Sequence, residues 1–356
     1  GSRILEYASG ALVGTVTTDK DGKAQIADLP LGTYKVVEKT APEGFVLNEE
    51  AQTVTFSYKD QKTPVIEQTA AFENDRQKVE VSVVKQDAEN ETVVAGAEFG
   101  LYAKEDILAH GEVAVKADTM LGKAVSNEDG KAVFELDLPF GSYYIKELAA
   151  PAGYVSSFET LEVTAKYQGQ DVKVVKLESI FKNQPTKVTF KKSDITTGVE
   201  LSGATLTVLD KDGNVVDTWK SVKGEEHLIE RLTAGETYTL REEMAPYGYL
   251  MAEEITFTVE DTAEIQKVEM KDDVPTGTLI IKFLDKVSVL DSVGGWIKHL
   301  FEYFSGSLKE VTFEVYALED IKAADGESED YYKKDALVAT ITTDETGVAK
   351  LTDLPL

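Results

Sequence analysis

The chain has 356 residues, carries a formal net charge of −27 and contains no cysteine. The acidic balance argues against electrostatic attraction to nucleic acid or anionic lipid, both of which need a clustered cationic surface, so its plainest meaning is solubility. The absence of thiols excludes disulfides, zinc–thiolate sites and cysteine nucleophiles.

Apolar residues make up 42% and charged residues 28%, as in a folded, soluble chain, and the length suits about two to four domains. No apolar run reaches the ~20 residues of a membrane span, and Gly1-Ser2 reads as a cloning remnant or a cut rather than a signal peptide.

In chain order, one unit recurs. Its first copy, residues 1–77, carries the turn Asp19-Lys20-Asp21-Gly22, the anchor Leu29-Pro30-Leu31-Gly32-Thr33-Tyr34 running on to Glu38, then Ala41-Pro42-Glu43-Gly44-Phe45. The second, 78–185, repeats these as Asn127-Glu128-Asp129-Gly130, Leu138-Pro139-Phe140-Gly141-Ser142-Tyr143 running to Glu147, and Ala150-Pro151-Ala152-Gly153-Tyr154. The third, 186–275, has Asp210-Lys211-Asp212-Gly213, Gly235-Glu236-Thr237-Tyr238 running to Glu242, and Ala245-Pro246-Tyr247-Gly248-Tyr249. The fourth, 276–356, has the turn Asp344-Glu345-Thr346-Gly347 and ends within its anchor.

Valine, threonine and aromatic residues alternate with polar ones around all these turns, which predicts short strands, hairpins and an all-β sandwich in each copy. The first copy is expected to lack its opening strand and the fourth to be truncated at its C-terminal end. Between Ser288 and Leu308 the pattern changes: Trp296, Ile297, Leu300, Phe301 and Phe304 fall at helical spacing, which predicts a short amphipathic helix inserted between strands. It would cap its own sandwich or, on the sharper reading, dock a partner or a membrane surface.

Strand parity selects the residues that could do chemistry, because alternate side chains share a face. Lys85 shares a face with Val79, Val81 and Val83, and Lys192 with Val188 and Phe190. Glu147 follows Tyr143 and Ile145 inward, Glu242 follows Tyr238 and Leu240, and Glu38 follows Tyr34 and Val36. On the closing strands Asn183 shares the face of Phe181, Asp272 that of Met270, and Asn74 that of Phe72, so parity favours Asp272 over Asp273.

Inward polar groups are costly unless they satisfy one another. Burial favours a neutral amine beside a protonated acid. Such an amine can attack a side-chain amide or carboxyl carbonyl while the Glu hydrogen-bonds the oxygen and shuttles protons. The expected pairs are Lys85 with Asn183, promoted by Glu147, and Lys192 with Asp272, promoted by Glu242. The bland alternative is a buried hydrogen-bonded network without covalent closure.

The ordered set of opening Lys, Tyr-x-x-x-Glu followed by Ala-Pro-x-Gly-Tyr/Phe, and closing Asn or Asp resembles the Cna B-type (SpaA-type) repeats of Gram-positive adhesins and pilins, along essentially the whole chain. The resemblance implies tandem prealbumin-like β-sandwiches, intramolecular Lys–Asn/Asp isopeptide bonds promoted by the Glu, and cell-wall display outside a Gram-positive bacterium. Two copies depart from the pattern. Phe283 stands where the fourth copy should have its Lys, with Lys282 on the other face, and the partner of Asn74 and Glu38 lies outside the chain.

The expected role is a non-enzymatic stalk of an adhesin, an extended monomeric rod joined to peptidoglycan through a sorting signal outside this chain. Other domains would meet host extracellular matrix protein. The alternatives are that these copies themselves bind a host protein or glycan, or form part of a pilus shaft. Leu29-Pro30-Leu31-Gly32-Thr33 is not a sorting signal, and no Tyr-Pro-Lys pilin motif is present.

No cofactor or metal is expected. The Asp-x-Asp-Gly turns lack the distal Glu of a calcium loop, and His110, His227 and His299 are scattered. Asn90-Glu91-Thr92 is a glycosylation sequon only in a host that modifies it. A paired-carboxylate glycosidase is disfavoured because the inward Glu recurs from unit to unit, as Glu38, Glu147 and Glu242.

Overall fold

The computed structural model describes residues 6–109, 112–283 and 308–355. Among these residues the architecture is all-β, with no helix. The predicted helix at 288–308, with Trp296 and its apolar neighbours, lies outside the described residues save for Leu308. The chain divides into two compact units, one of Gly1–Lys85, Ala97–Leu148 and Phe158–Phe181, the other of Gln86–Gly96, Ala149–Ser157 and Lys182–Leu356.

In the first unit β1 (Gly32–Val36) pairs antiparallel with β2 (Gln52–Phe56). The next strands are β3 (Lys78–Asp87), β4 (Glu98–Ala103), the hairpin β5 (Ile107–Ala109) and β6 (Glu112–Val115), and β7 (Met120–Val125). β8 (Lys131–Phe134), β9 (Gly141–Ala149), β10 (Thr160–Ala165) and β11 (Val174–Asn183) complete it. Two sheets, ordered β10-β9-β4-β7 and β11-β3-β8, supply one core that includes Val81, Val83, Phe99, Phe134, Tyr143, Ile145 and Phe181. This is the sandwich that strand alternation demands, since each sheet has one apolar face to bury.

Residues 11–31 depart from expectation. The turn at Asp19–Gly22 forms, with Asp19 Oδ1 accepting from the amides of Asp21 and Lys23, yet no strand flanks it among the described residues. These residues are mostly exposed. Alternation yields a strand only where a ladder partner and a buried face are available.

In the second unit β12 (Lys187–Asp194), β13 (Thr205–Leu209), β14 (Val215–Lys220), β15 (His227–Glu230), β16 (Thr237–Met244), β17 (Ile255–Thr258) and β18 (Ile265–Asp272) form sheets ordered β15-β12-β18 and β14-β13-β16-β17. Their core includes Val188, Phe190, Leu206, Leu240 and Met270. The first and last strands, β12 and β18, are parallel neighbours with Lys192 opposite Met270 and Asp194 opposite Asp272. β19 (Thr276–Lys282) then pairs with β22 (Val348–Pro355), and β20 (Thr312–Tyr316) with β21 (Leu337–Thr342).

The three turns at Asn127, Asp210 and Asp344 have one geometry. The side-chain Oδ1 accepts from the amides two and four residues on, and the glycine that completes each turn is left-handed, with φ of 73° at Gly130, 82° at Gly213 and 72° at Gly347. These side-chain oxygens are engaged by backbone N–H groups, as in an Asx turn. Among the described residues no group of His, Cys, Asp and Glu is arranged to hold a metal ion.

Candidate functional site

The third repeat assembles a complete site. Lys192 on β12, Glu242 on β16 and Asp272 at the end of β18 have fully buried side chains or nearly so. Lys192 Nζ donates to Asp272 Oδ1 and lies 2.9 Å from Glu242 Oε1, a contact close enough for an ion pair though not aligned as a hydrogen bond. The second oxygen of Glu242 accepts from the Ala252 amide at 2.7 Å. Asp272 Oδ2 makes no hydrogen bond.

Burial pushes the Asp272 carboxyl up, with the Glu242 charge adding to that effect and Lys192 opposing it, and the net result is a pKa of about 6. A carboxyl that holds its proton so near neutrality, beside a buried amine, suits condensation better than a solvated aspartate would. Asp273 is exposed, while Asp272 faces the core.

In the second repeat Lys85 is fully buried on β3 and Asn183 is buried at the end of β11, the neighbouring strand. Glu147 is half-buried on β9. Asn183 Nδ2 donates to the Val155 carbonyl at 2.8 Å. The first repeat joins two of its expected residues: Glu38 Oε2 accepts from Asn74 Nδ2 and from the Asn48 amide, each at 2.7 Å, and Asn74 Nδ2 also donates to the Val46 carbonyl.

The fourth repeat has no amine at this place. The Phe283 amide donates to the Gly347 carbonyl, as the Lys85 amide does to Gly130, but its ring is half-buried against Phe313. Lys282 is exposed. His227 stacks on Trp219 and bonds Asp217, all three half-buried, and His110 and His299 lie outside the described residues.

Sequence reasoning did not single out a second group. Asp87 and Asp194 each lie two residues beyond the Lys on the same strand face and are buried. Asp194 Oδ1 accepts from the amides of Thr196 and Thr197, and its Oδ2 accepts from the Tyr249 hydroxyl at 2.8 Å. Asp87 Oδ1 accepts from Glu89 and Asn90, and its Oδ2 accepts from the Tyr154 hydroxyl at 3.0 Å and from Arg231 Nη2 at 2.8 Å. Continuing the parity count past each Lys would have found both aspartates; the tyrosines were already visible in Pro-x-Gly-Tyr.

The second and third repeats, each a β-sandwich, carry a Lys on the first strand, a Glu on a middle strand and an Asn or Asp at the end of the last. The prealbumin-like fold domain family SpaA matches residues 4–70, 79–178 and 186–274, most of the chain, and the chain belongs to that family. No curated protein matches it by sequence.

Among solved structures, the Bacillus anthracis TIE protein is similar at 27% identity over 72% of this chain and 45% of that one, with a TM-score of 0.46; the chain thus spans less than half of that relative. A C-terminal fragment of the pilus adhesin SpaC from Lactobacillus rhamnosus GG is similar at 17% identity over 56% of this chain and 98% of that one, with a TM-score of 0.38. GBS52, a minor pilin of the Gram-positive pathogen Streptococcus agalactiae, is similar at 16% identity over 60% and 99%, with a TM-score of 0.25.

Proposed function

We propose that the chain is a non-enzymatic stalk of a Gram-positive cell-surface adhesin, braced by self-formed isopeptide bonds between Lys192 and Asp272 and between Lys85 and Asn183. The observation that carries this reading is the buried Lys192–Glu242–Asp272 trio, in which an amine is held on a carboxyl with a second carboxyl beside both.

A proton passing from Lys192 Nζ to Asp272 leaves a neutral amine facing a carboxylic acid. The amine attacks Asp272 Cγ, a C–N bond forms, a C–O bond breaks, and the hydroxyl leaves as water with one amine proton relayed through the Glu242 carboxyl. At Asn183 the same step releases ammonia, with Glu147 as the relay.

The mechanical consequence follows from topology. β12 and β18 are the first and last strands of the third repeat and run parallel. A bond between them carries tension past the 80 residues that separate Lys192 from Asp272, which covalent closure shields. Anchoring to peptidoglycan and presentation of a distal binding domain belong to this reading as functions of chain beyond these residues.

The intact mass of the purified chain tests it. The expected value is the sequence mass less one water and one ammonia, with Glu242→Ala restoring only the water. An unshifted mass removes the cross-links, leaving a hydrogen-bonded network and no mechanical brace.

A further inference from the structure

In the third repeat, two backbone contacts flank the acceptor. The Ile195 amide, next to Asp194, donates to the Asp272 carbonyl at 2.9 Å, and the Leu250 amide, next to Tyr249, donates to the Asp273 carbonyl at 2.8 Å. The Tyr249 loop also delivers the Ala252 amide to Glu242. The Asp194–Tyr249 hydrogen bond thus ties the end of the Lys strand to the loop that holds both the Glu and the acceptor.

The second repeat builds the same ring from different residues. Ala88, next to Asp87, donates to the Asn183 carbonyl, and Val155, next to Tyr154, donates to Gln184, both at 2.9 Å. The first repeat keeps the loop contact, Val46 to Asp75, but has Phe45 in the tyrosine's place and so lacks the hydroxyl.

We infer that Asp194 and Tyr249, with Asp87 and Tyr154 at the same places one repeat earlier, are positioning residues for cross-link formation: a latch that fixes the acceptor against the lysine amine. The inference rests on the proposed isopeptide chemistry. A buried carboxylate that accepts two turn amides and a phenol is held in one orientation, and the chain on either side of it is then set to within the tolerance that condensation needs. Burial raises the Tyr249 pKa, and Asp194 adds to the effect, so the phenol remains a donor.

The test follows the Lys192–Asp272 peptide by mass spectrometry after pulse synthesis of the full chain in a cell-free extract, with circular dichroism reporting folding. Tyr249→Phe and Asp194→Ala are expected to slow water loss by about tenfold or more, since small misplacements of reacting groups cost factors of this order or larger. Asp194→Asn, whose side chain can still accept the turn amides and pair with the phenol, is expected to stay near the wild-type rate.

The double variant is expected to be no slower than either single one, because the pair acts as a unit. A residue that only stabilised the fold would change the denaturation midpoint without changing this rate. If Asp194→Ala fails to fold, Tyr249→Phe alone decides. Wild-type rates in a folded Tyr249→Phe chain would overturn the latch while leaving the cross-link in place, and a wild-type chain that never loses water would overturn both.

Discussion

Asp87 and Asp194 occupy the same place in successive repeats, yet their surroundings differ in one respect. Both accept two turn amides and a tyrosine hydroxyl. Asp87 also accepts from Arg231 Nη2, whose neighbouring Nε reaches the Tyr154 hydroxyl at 3.3 Å. Burial works against the Asp87 charge, but Arg231, Tyr154 and the turn amides outweigh it and hold the carboxyl down to about 2. Asp194 is lowered too, against its own burial, by neutral donors. The repeat therefore specifies the latch, and a residue from the following repeat reinforces one copy of it.

The acceptors differ in a second way, an amide in one repeat and an acid in the other, and this sets the largest expected effect. On the proposed chemistry, Lys192→Met removes a cross-link enclosing about 80 residues, worth about 4–5 kcal/mol, and leaves Glu242 and Asp272 buried without their cation. Lys85→Met loses a loop of similar size but leaves a neutral Asn183.

The sign of the pH dependence separates the two. Asp272 is already raised to about 6, and losing Lys192 removes the influence that lowers it. In the variant, the folded state keeps a proton that the unfolded state releases. Stability should therefore be highest below the unfolded carboxyl's ordinary value near 4 and fall as pH rises from there through the variant's folded value above 6, by at least about 3 kcal/mol. Denaturation midpoints from pH 4 to 8 measure this. Lys85→Met should lack this contribution, and parallel profiles would mean that Asp272 is not the titrating group.

Arg231→Ala comes next. It takes a charged hydrogen bond from the buried Asp87 carboxylate while leaving the tyrosine and the turn amides, for an expected loss of about 2–3 kcal/mol at neutral pH. Because the Asp87 pKa is depressed, its contribution is present above the ordinary value near 4 and is lost as pH falls through 2. The gap between wild type and variant should narrow in acid. A gap that stays constant down to pH 2 would show that Arg231 acts through packing rather than through Asp87.

Strand parity made the trio legible, because a two-residue period forces Lys192 to the side of Val188 and Phe190 and separates Asp272 from Asp273. The same count, carried one step further, reaches Asp87 and Asp194, whose burial looks improbable until their hydrogen bonds are known. Arg231 was not legible. It lies in a loop with φ of 64° and meets a carboxylate 144 residues away, a pairing with no periodic signature. Residues 11–31 failed in the opposite direction, since their alternation resembles that of β7 and β8 but comes without a ladder partner among the described residues.

The smallest effect compares Gly153 with Gly248, which occupy matching places before Tyr154 and Tyr249. Both need left-handed backbone, with φ of 84° and 90°, so alanine at either costs about 1–2 kcal/mol for conformation alone. Their surroundings differ. A Cβ on Gly153 would sit 2.6 Å from the Arg231 carbonyl oxygen, whereas one on Gly248 would meet Ala324 Cβ at an ordinary 3.5 Å. The Arg231 backbone cannot retreat freely, because its amide donates to the Thr186 carbonyl at 2.9 Å and its side chain holds Asp87. Gly153→Ala should therefore cost at least about 1 kcal/mol more than Gly248→Ala in denaturant titrations, from overpacking against fixed backbone. Combining it with Arg231→Ala should cost less than the sum, since the clash and the ion pair share one segment. Equal losses at the two glycines would mean that the Arg231 segment yields, and that the reinforcement of the Asp87 latch is too soft to resist a single methyl group.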